Sequence, residues 1–245
     1  MIRDTWLVFT RQCVLVLRNP VWVIVGIFQP LCFLLLFGPL LDGMPQVGGY
    51  KAFVPGLLIQ LAMFGSMFVG FALIAELRAG VLERMRVTPV SRLALLLGRC
   101  LRDIVQLLVQ AVLLVLIAVP FGLDVHVADL ALALAMLALI GLLFSAFSYG
   151  VALLVRSEDA LAPLLNSIVI PLLLLSGILL PLSLGPSWLR AIATWNPFSW
   201  AVDAARALFA GHPGDPDVWK ALVIVGALAV AAATWSAREF ARSIR

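Results

Sequence analysis

The sequence predicts an all-α membrane protein, a bundle of six transmembrane helices in one domain spanning residues 1–245. Three observations predict it. First, 63% of the 245 residues are hydrophobic and 12% charged, with a mean hydropathy of +1.11; an ordinary soluble domain has about 25% charged residues. Second, six stretches lack Asp, Glu, Lys, Arg and His altogether: 19–41, 53–75, 104–122, 130–155, 161–182 and 221–237. A bilayer core about 30 Å thick takes roughly 20 apolar residues per helical span, and these runs are continuously apolar rather than alternating, as barrel strands would be. Third, 13 of the 17 Lys and Arg residues fall in segments 1–18, 76–103, 156–160 and 238–245, leaving Lys51, Arg190, Arg206 and Lys220 for the other side. The positive-inside rule then puts both termini in the cytoplasm.

Residues 1–18 interleave Trp6, Leu7, Phe9, Cys13, Val14 and Leu17 with Arg3, Asp4, Arg11, Gln12 and Arg18. That pattern predicts an amphipathic helix lying along the membrane surface. The first span is expected to stay in the protein, because DGMPQVGG follows it instead of a small-x-small cleavage site. Trp22, Trp219 and Trp235 stand near span ends, where amphipathic rings favour the headgroup layer.

The segment between the second and third spans, 76–103, carries six arginines. They could serve only topology and anionic lipid, at about 1 kcal/mol each near the surface. The pattern suggests more: Leu77, Val81 and Met85 recur every four residues while Glu76, Arg78, Glu83, Arg84 and Arg86 cover the other faces, which predicts a short amphipathic helix. Thr88 precedes Pro89 and must leave the helical region. Ser91 can cap a new helix running through Arg99 and Arg102 into the third span. Mixed charge on the first helix suits a protein partner better than lipid.

The string ELRAGVLERMRVTPVS, Glu76 to Ser91, followed by Gly98 and Arg99, resembles the cytoplasmic loop of type 2 ABC exporter permeases, the class of daunorubicin-resistance, nodulation and polysaccharide-export permeases. NPFSWAVDAAR, Asn196 to Arg206, resembles the segment those permeases carry before their last span. Val81 departs from the pattern, which has Thr there. The resemblance implies a cytoplasmic coupling helix at 76–92 seated on a separate ATPase subunit. Glu83 and Arg84 are its implied contacts, Gly80 permits close approach, Pro89 fixes the exit angle, and Glu76, Arg78 and Arg86 complete the surface. It further implies two permease chains, identical or not, above two ATPase subunits, in the plasma membrane. ATP and Mg would sit on the ATPase; no cofactor, metal or nucleic acid is expected on this chain.

No G-x-x-x-x-G-K-[ST] phosphate loop occurs, and neither Lys51 nor Lys220 follows a glycine, so the energy must be borrowed. The six windows hold no ionisable group of the kind ion-coupled transporters place at membrane depth, and no mirrored halves, which counts against a secondary transporter. An integral membrane enzyme finds little support: His126 and His212 stand in outer loops, away from any nucleophile motif. Cys13, Cys32 and Cys100 indicate neither a disulfide framework nor a metal cluster.

Gln106 and Gln110, four apart, share one face of the third span and, with Gln60 and Asn166, are candidates for a weakly polar translocation path. Hydrogen bonding between helices is the alternative reading for each. The segment 183–220 carries Trp188, Trp195, Phe198, Trp200 and Phe209 broken by Pro186, Pro197 and Gly211, which predicts two short interfacial helices. Trp195, Asn196, Pro197, Trp200 and Arg206 are its candidate outer-site residues, and Asp203 and Arg206 can pair at i, i+3. A hydrophobic drug or a lipid-like molecule is the expected cargo, a polysaccharide or glycolipid the alternative.

Overall fold

The computed structural model describes residues 2–18, 21–42, 49–80, 91–123, 126–178 and 186–243. Among these residues the regular structure is helical, with no strand. The helices are α1 (Ile2–Arg18), α2 (Val21–Asp42), α3 (Gly49–Met67), α4 (Gly70–Arg78), α5 (Arg92–Ala118), α6 (Val127–Val155), α7 (Glu158–Leu174), α8 (Ser187–Ala193), α9 (Pro197–Phe209) and α10 (Pro216–Ser243). A single 3₁₀ turn, Val119–Phe121, closes α5.

The centre is α6. Its sequence is apolar on every side, as a helix surrounded by neighbours requires, and it packs against α3, α4, α5, α7, α9 and α10. Phe144 stacks on Phe198 of α9 at 5.0 Å, and Phe147 meets Trp235 of α10 at 5.7 Å. Trp235, expected at the headgroup layer, is thus a packing residue of the bundle. By contrast α2 lies outside, exposing Ile24, Phe28, Leu36 and Leu40. On α5, Leu93, Leu97, Leu101, Val105, Val109 and Leu113 form an exposed stripe, while Leu96, Cys100, Leu107, Ala111 and Leu114 face the core. An apolar stripe on the outer face is stable against hydrocarbon and not against water.

Among the described residues, five segments are long and apolar enough to cross a membrane: Val23–Leu40, Gly49–Arg78, Leu93–Phe121, Val127–Val155 and Pro216–Arg242. This is an all-α membrane protein. The stretch 161–182, read from sequence as a fifth of six spans, is represented by α7, whose 17 residues reach about 25 Å at the α-helical rise. Residues 179–185 lie outside the described part, and Pro163 and Pro171 both stand within α7.

The second span is two helices. Between Met67 and Gly70 the ladder breaks, and Ser148 of α6 fills the gap: its Oγ accepts from the Gly70 N–H at 3.0 Å and donates to the Met67 carbonyl. A side chain inserted into the i→i−4 ladder is a recognised cause of a kink. The third span starts earlier than its apolar window. Ser91 caps α5, its Oγ accepting from Ala94 N–H at 3.2 Å, so Arg99, Arg102 and Asp103 belong to the same continuous helix.

The outer-segment motif has a local cause. Asn196 caps α9 by accepting from Phe198 N–H at 3.0 Å, Pro197 takes the first helical position where no N–H is needed, and Asn196 Nδ2 donates to Leu172 of α7 at 2.9 Å. Ser199 Oγ, donating at 2.8 Å, lies within reach of the Ala193 and Asn196 carbonyls, joining α8 to α9.

Candidate functional site

The helices that flank residues 81–90 are α4 and α5, and a charged cluster joins them in which Arg99 and Asp103 are buried and Glu76 and Arg102 half-buried. Glu76 stands in the last turn of α4 and Arg99 two turns into α5. Arg99 is 2% exposed, the largest fully buried side chain among the described residues, and its guanidinium pairs with Glu76 Oε2. The other oxygen, Glu76 Oε1, accepts from Gln12 Nε2 of α1 at 3.3 Å. One turn further along α5, Asp103 Oδ2 accepts from the Tyr149 hydroxyl of α6 at 2.6 Å, and Arg102 approaches Oδ1 at 3.1 Å. Two carboxylates and two guanidinium groups thus form a neutral set that ties α1, α4, α5 and α6 together.

Burying such ions costs several kcal/mol each unless they are paired and hydrogen-bonded. Pairing meets part of that demand, although Arg99 Nε, Arg102 Nε and Asp103 Oδ1 make no hydrogen bond, Oδ1 having only the charge contact with Arg102. Glu76, Arg99, Arg102 and Asp103 stand just outside the ionisable-free windows 53–75 and 104–122, in the parts of the same helices that flank them. Local pattern does not mark the pairing, because Glu76 and Arg99 meet across 23 residues.

Arg78 makes a second, more exposed ion pair with Glu158 of α7 at 3.2 Å. Ala79 and Gly80 then end α4, Gly80 in the left-handed region at φ 65° that favours glycine. The stretch expected to begin a coupling helix at Glu76 therefore starts as the last turn of α4 followed by a turn. Glu83, Arg84, Arg86 and Pro89 lie outside the described residues.

The candidate path residues have separate settings. Gln110 is buried and donates to the Val23 carbonyl of α2 at 2.8 Å, a helix-to-helix bond. Gln106, one turn earlier, and Asn166 on α7 are half-buried. Gln60 is buried in α3 with its Oε1 unpartnered. Of the outer-segment residues, Trp195 is 88% exposed and Trp200 exposed, whereas Asn196 is buried in its capping role. Arg206 Nε and NH2 donate to Ala52 and Gly177 carbonyls at 3.2 and 2.8 Å, and NH1 reaches Asp203 at 3.5 Å. Arg206 therefore fastens α9 to α3 and to the turn after α7. No group of three or more His, Cys, Asp or Glu side chains suited to a metal gathers among the described residues.

Gln12, Arg102, Asp103 and Tyr149 were not singled out as site residues from sequence. The available signal was Arg99 and Asp103, spaced i, i+4 on one face of an otherwise apolar helix.

Comparison with known proteins meets this geometry. The profile of the ABC-2 type transporter family matches residues 3–210. The chain belongs to that family. The permease is 32% identical over 214 residues to the daunorubicin resistance ABC transporter permease protein DrrB1 of Streptomyces coeruleorubidus, covering 85% of this chain and 76% of that protein. It is 29% identical over 216 residues to the putative transport permease ycf38 of Cyanophora paradoxa, covering 85% and 74%. To the probable doxorubicin resistance ABC transporter permease protein DrrC of Mycobacterium tuberculosis it is 25% identical over 202 residues, covering 80% and 73%. The permease is an integral, multi-pass membrane subunit of an ABC exporter, and family membership implies association with an ABC ATPase subunit.

Proposed function

We propose that the permease carries a hydrophobic drug or lipid-like molecule out of the cytoplasm or inner leaflet of the plasma membrane, driven by a separate ATPase subunit that docks on residues 76–92. The observation that carries this reading is the Glu76–Arg99 pair. It joins the two helices that flank residues 81–90, α4 and α5, which are tied to α1 through Gln12 and to α6 through Asp103 and Tyr149. ATP binding elsewhere can shift the bundle only if the partner holds its inward-open and outward-open forms with different affinity, and a rigid joint beneath the docking segment supplies the lever.

On this reading Glu83 and Arg84 meet the ATPase, Gly80 and Pro89 set its approach, and both termini are cytoplasmic. ATP and magnesium belong to the partner subunit; this chain binds neither and is not itself catalytic. Two permease chains complete the pathway. Support for the drug or lipid-like class comes from the two relatives named for daunorubicin and doxorubicin resistance and from the exposed Trp188, Trp195 and Trp200, which suit an amphipathic cargo leaving the membrane.

The test is a pull-down of the tagged permease from gently solubilised membranes, with ATP hydrolysis assayed in the eluate. Loss of the ATPase subunit in Glu83→Arg, with the helical content and thermal transition intact, supports the docking surface. Unchanged co-purification and unchanged transport overturn it.

A further inference from the structure

Helix α1 turns only one side to the bundle. Gly98 of α5 lies so close that a Cβ there would fall 2.8 Å from Val8 Cβ and 2.9 Å from the Thr5 carbonyl, and Gln12 on the same side reaches Glu76. The rest of its surface exposes Trp6, Leu7, Arg11, Val14, Leu15 and Arg18. Leu7, Thr10, Arg11, Val14, Leu15 and Arg18 line a shallow groove of about 400 Å³.

Two further relationships set the depth of this groove. The Val8–Gly98 contact places α1 beside the first two turns of α5, whose apolar run begins at Leu93. Arg18 ends α1 only three residues before α2 begins at Val21, whose apolar run starts at Val23. Both hold α1 where hydrocarbon gives way to headgroups. The helix carries three arginines against one aspartate, and an exposed face that mixes cations with leucine and valine suits neither water nor hydrocarbon alone.

We propose that this face of α1 binds an anionic phospholipid. Arg11 and Arg18 lie seven residues apart on one side of the helix, about 10 Å along its axis, and hold the headgroup phosphate between them. Leu7, Val14 and Leu15 lie along the first part of an acyl chain. Charge complementarity and the depth of the helix select a lipid over a soluble anion, which would gain nothing from the apolar half of the groove.

The experiment is native mass spectrometry of the full chain after equilibration with an equimolar mixture of phosphatidylglycerol and phosphatidylcholine in detergent. The wild type is expected to retain phosphatidylglycerol preferentially, and Arg11→Gln/Arg18→Gln to lose about fivefold of that preference per arginine, the scale of one charge near an anionic surface. Arg11→Lys/Arg18→Lys is expected to keep most of it. Arg242→Gln, at an exposed cation on α10 paired with Glu239, is expected to leave it unchanged. An unaltered preference in the double Gln variant, or an equal loss in Arg242→Gln, overturns the site. So does a double Gln variant that keeps its lipid but loses the co-purifying ATPase, which makes α1 a protein-docking face. If the double variant fails to fold, Arg18→Gln alone decides, and a preference unchanged from wild type overturns the proposal.

Discussion

Glu76 and Arg99 stand on the two helices that flank residues 81–90 and close into an ion pair whose guanidinium is buried and whose carboxylate is half-buried. Because Glu76 also accepts from Gln12, and because Asp103 one turn along accepts from Tyr149, the pair is the middle link of a chain running from the surface helix α1 to the central helix α6. A displacement of the 81–90 segment cannot be absorbed by spreading α4 from α5 without breaking it. On the proposed function, that rigidity is what turns motion at the ATPase into motion of the bundle.

Removing one partner should therefore be worse than removing both. Glu76→Gln leaves a buried guanidinium without its carboxylate, a loss of about 3–5 kcal/mol when a buried pair is broken from one side. Arg99→Met should be comparably damaging. The double variant Glu76→Gln/Arg99→Met restores neutrality and is expected to recover much of the thermal stability in detergent while ATPase coupling stays low. Additive losses of stability would show that the two groups do not act as a pair.

Much of this architecture was legible in the sequence. Continuous apolar runs located α2, α3, α5, α6 and α10, Ser91 announced the start of α5, and Pro186, Pro197 and Gly211 marked the breaks around α8 and α9. The charged joint was not legible, because hydropathy reads each residue by itself. Arg99 and Asp103 looked like the cytoplasmic flank of a span until Glu76 and Tyr149, remote in sequence, proved to neutralise or hydrogen-bond them. The break in the second span was equally hidden, since the hydroxyl that fills it belongs to Ser148 on another helix. Residue pattern shows which faces are apolar and leaves unsaid which polar atoms meet.

Ser148 offers a direct test of that break. Ser148→Ala leaves the Gly70 N–H and the Met67 carbonyl without their shared partner in a buried setting, where an unsatisfied group costs about 1–3 kcal/mol. A lower thermal midpoint is expected, with faster hydrogen exchange at Gly70 and its neighbours. An unchanged midpoint together with unchanged exchange would mean that the break is stable without the hydroxyl.

Arg206 and Asn196 hold α8 and α9 from two sides. Asn196→Ala removes a cap and a bond to α7, a loss of about 1–2 kcal/mol. Arg206→Lys keeps the charge but offers one ammonium where the guanidinium reaches two carbonyls on different elements. Both variants should raise protease sensitivity across 186–215, and Arg206→Lys should behave more like Arg206→Ala than like wild type. Full protection in Arg206→Lys would reduce that residue to a point charge.

Cys13 reports which side of the membrane α1 occupies. In intact cells a membrane-impermeant maleimide should miss Cys13 and label Trp195→Cys, and in inverted vesicles the order should reverse. Burial pushes the Cys13 thiol above its ordinary value, outweighing the opposing influence of Arg102. Less thiolate is then present at neutral pH, and since the thiolate is the reactive form, labelling should be slow there and quicken as pH rises. Labelling of Cys13 from outside intact cells would invert the topology.

Gly98 tests whether α1 takes part in coupling or merely decorates the bundle. Any Cβ at this position meets the branched carbon of Val8 and the Thr5 carbonyl below ordinary contact distance, and backbone cannot yield as a flexible side-chain tip would. Gly98→Ala must push α1 away from α5 and lengthen the Gln12–Glu76 bond, while the Glu76–Arg99 pair, made between α4 and α5, keeps its geometry. The expected result is faster hydrogen exchange across residues 2–18, a bundle that still unfolds near the wild-type temperature, and reduced substrate stimulation of ATP hydrolysis. Val8→Ala removes the Val8 Cγ1 but leaves its Cβ and the Thr5 carbonyl in place, so in the Gly98→Ala background it should recover only part of the exchange protection and stimulation. If the single variant loosens α1 and leaves stimulation intact, coupling passes through α4, α5 and α6 without it.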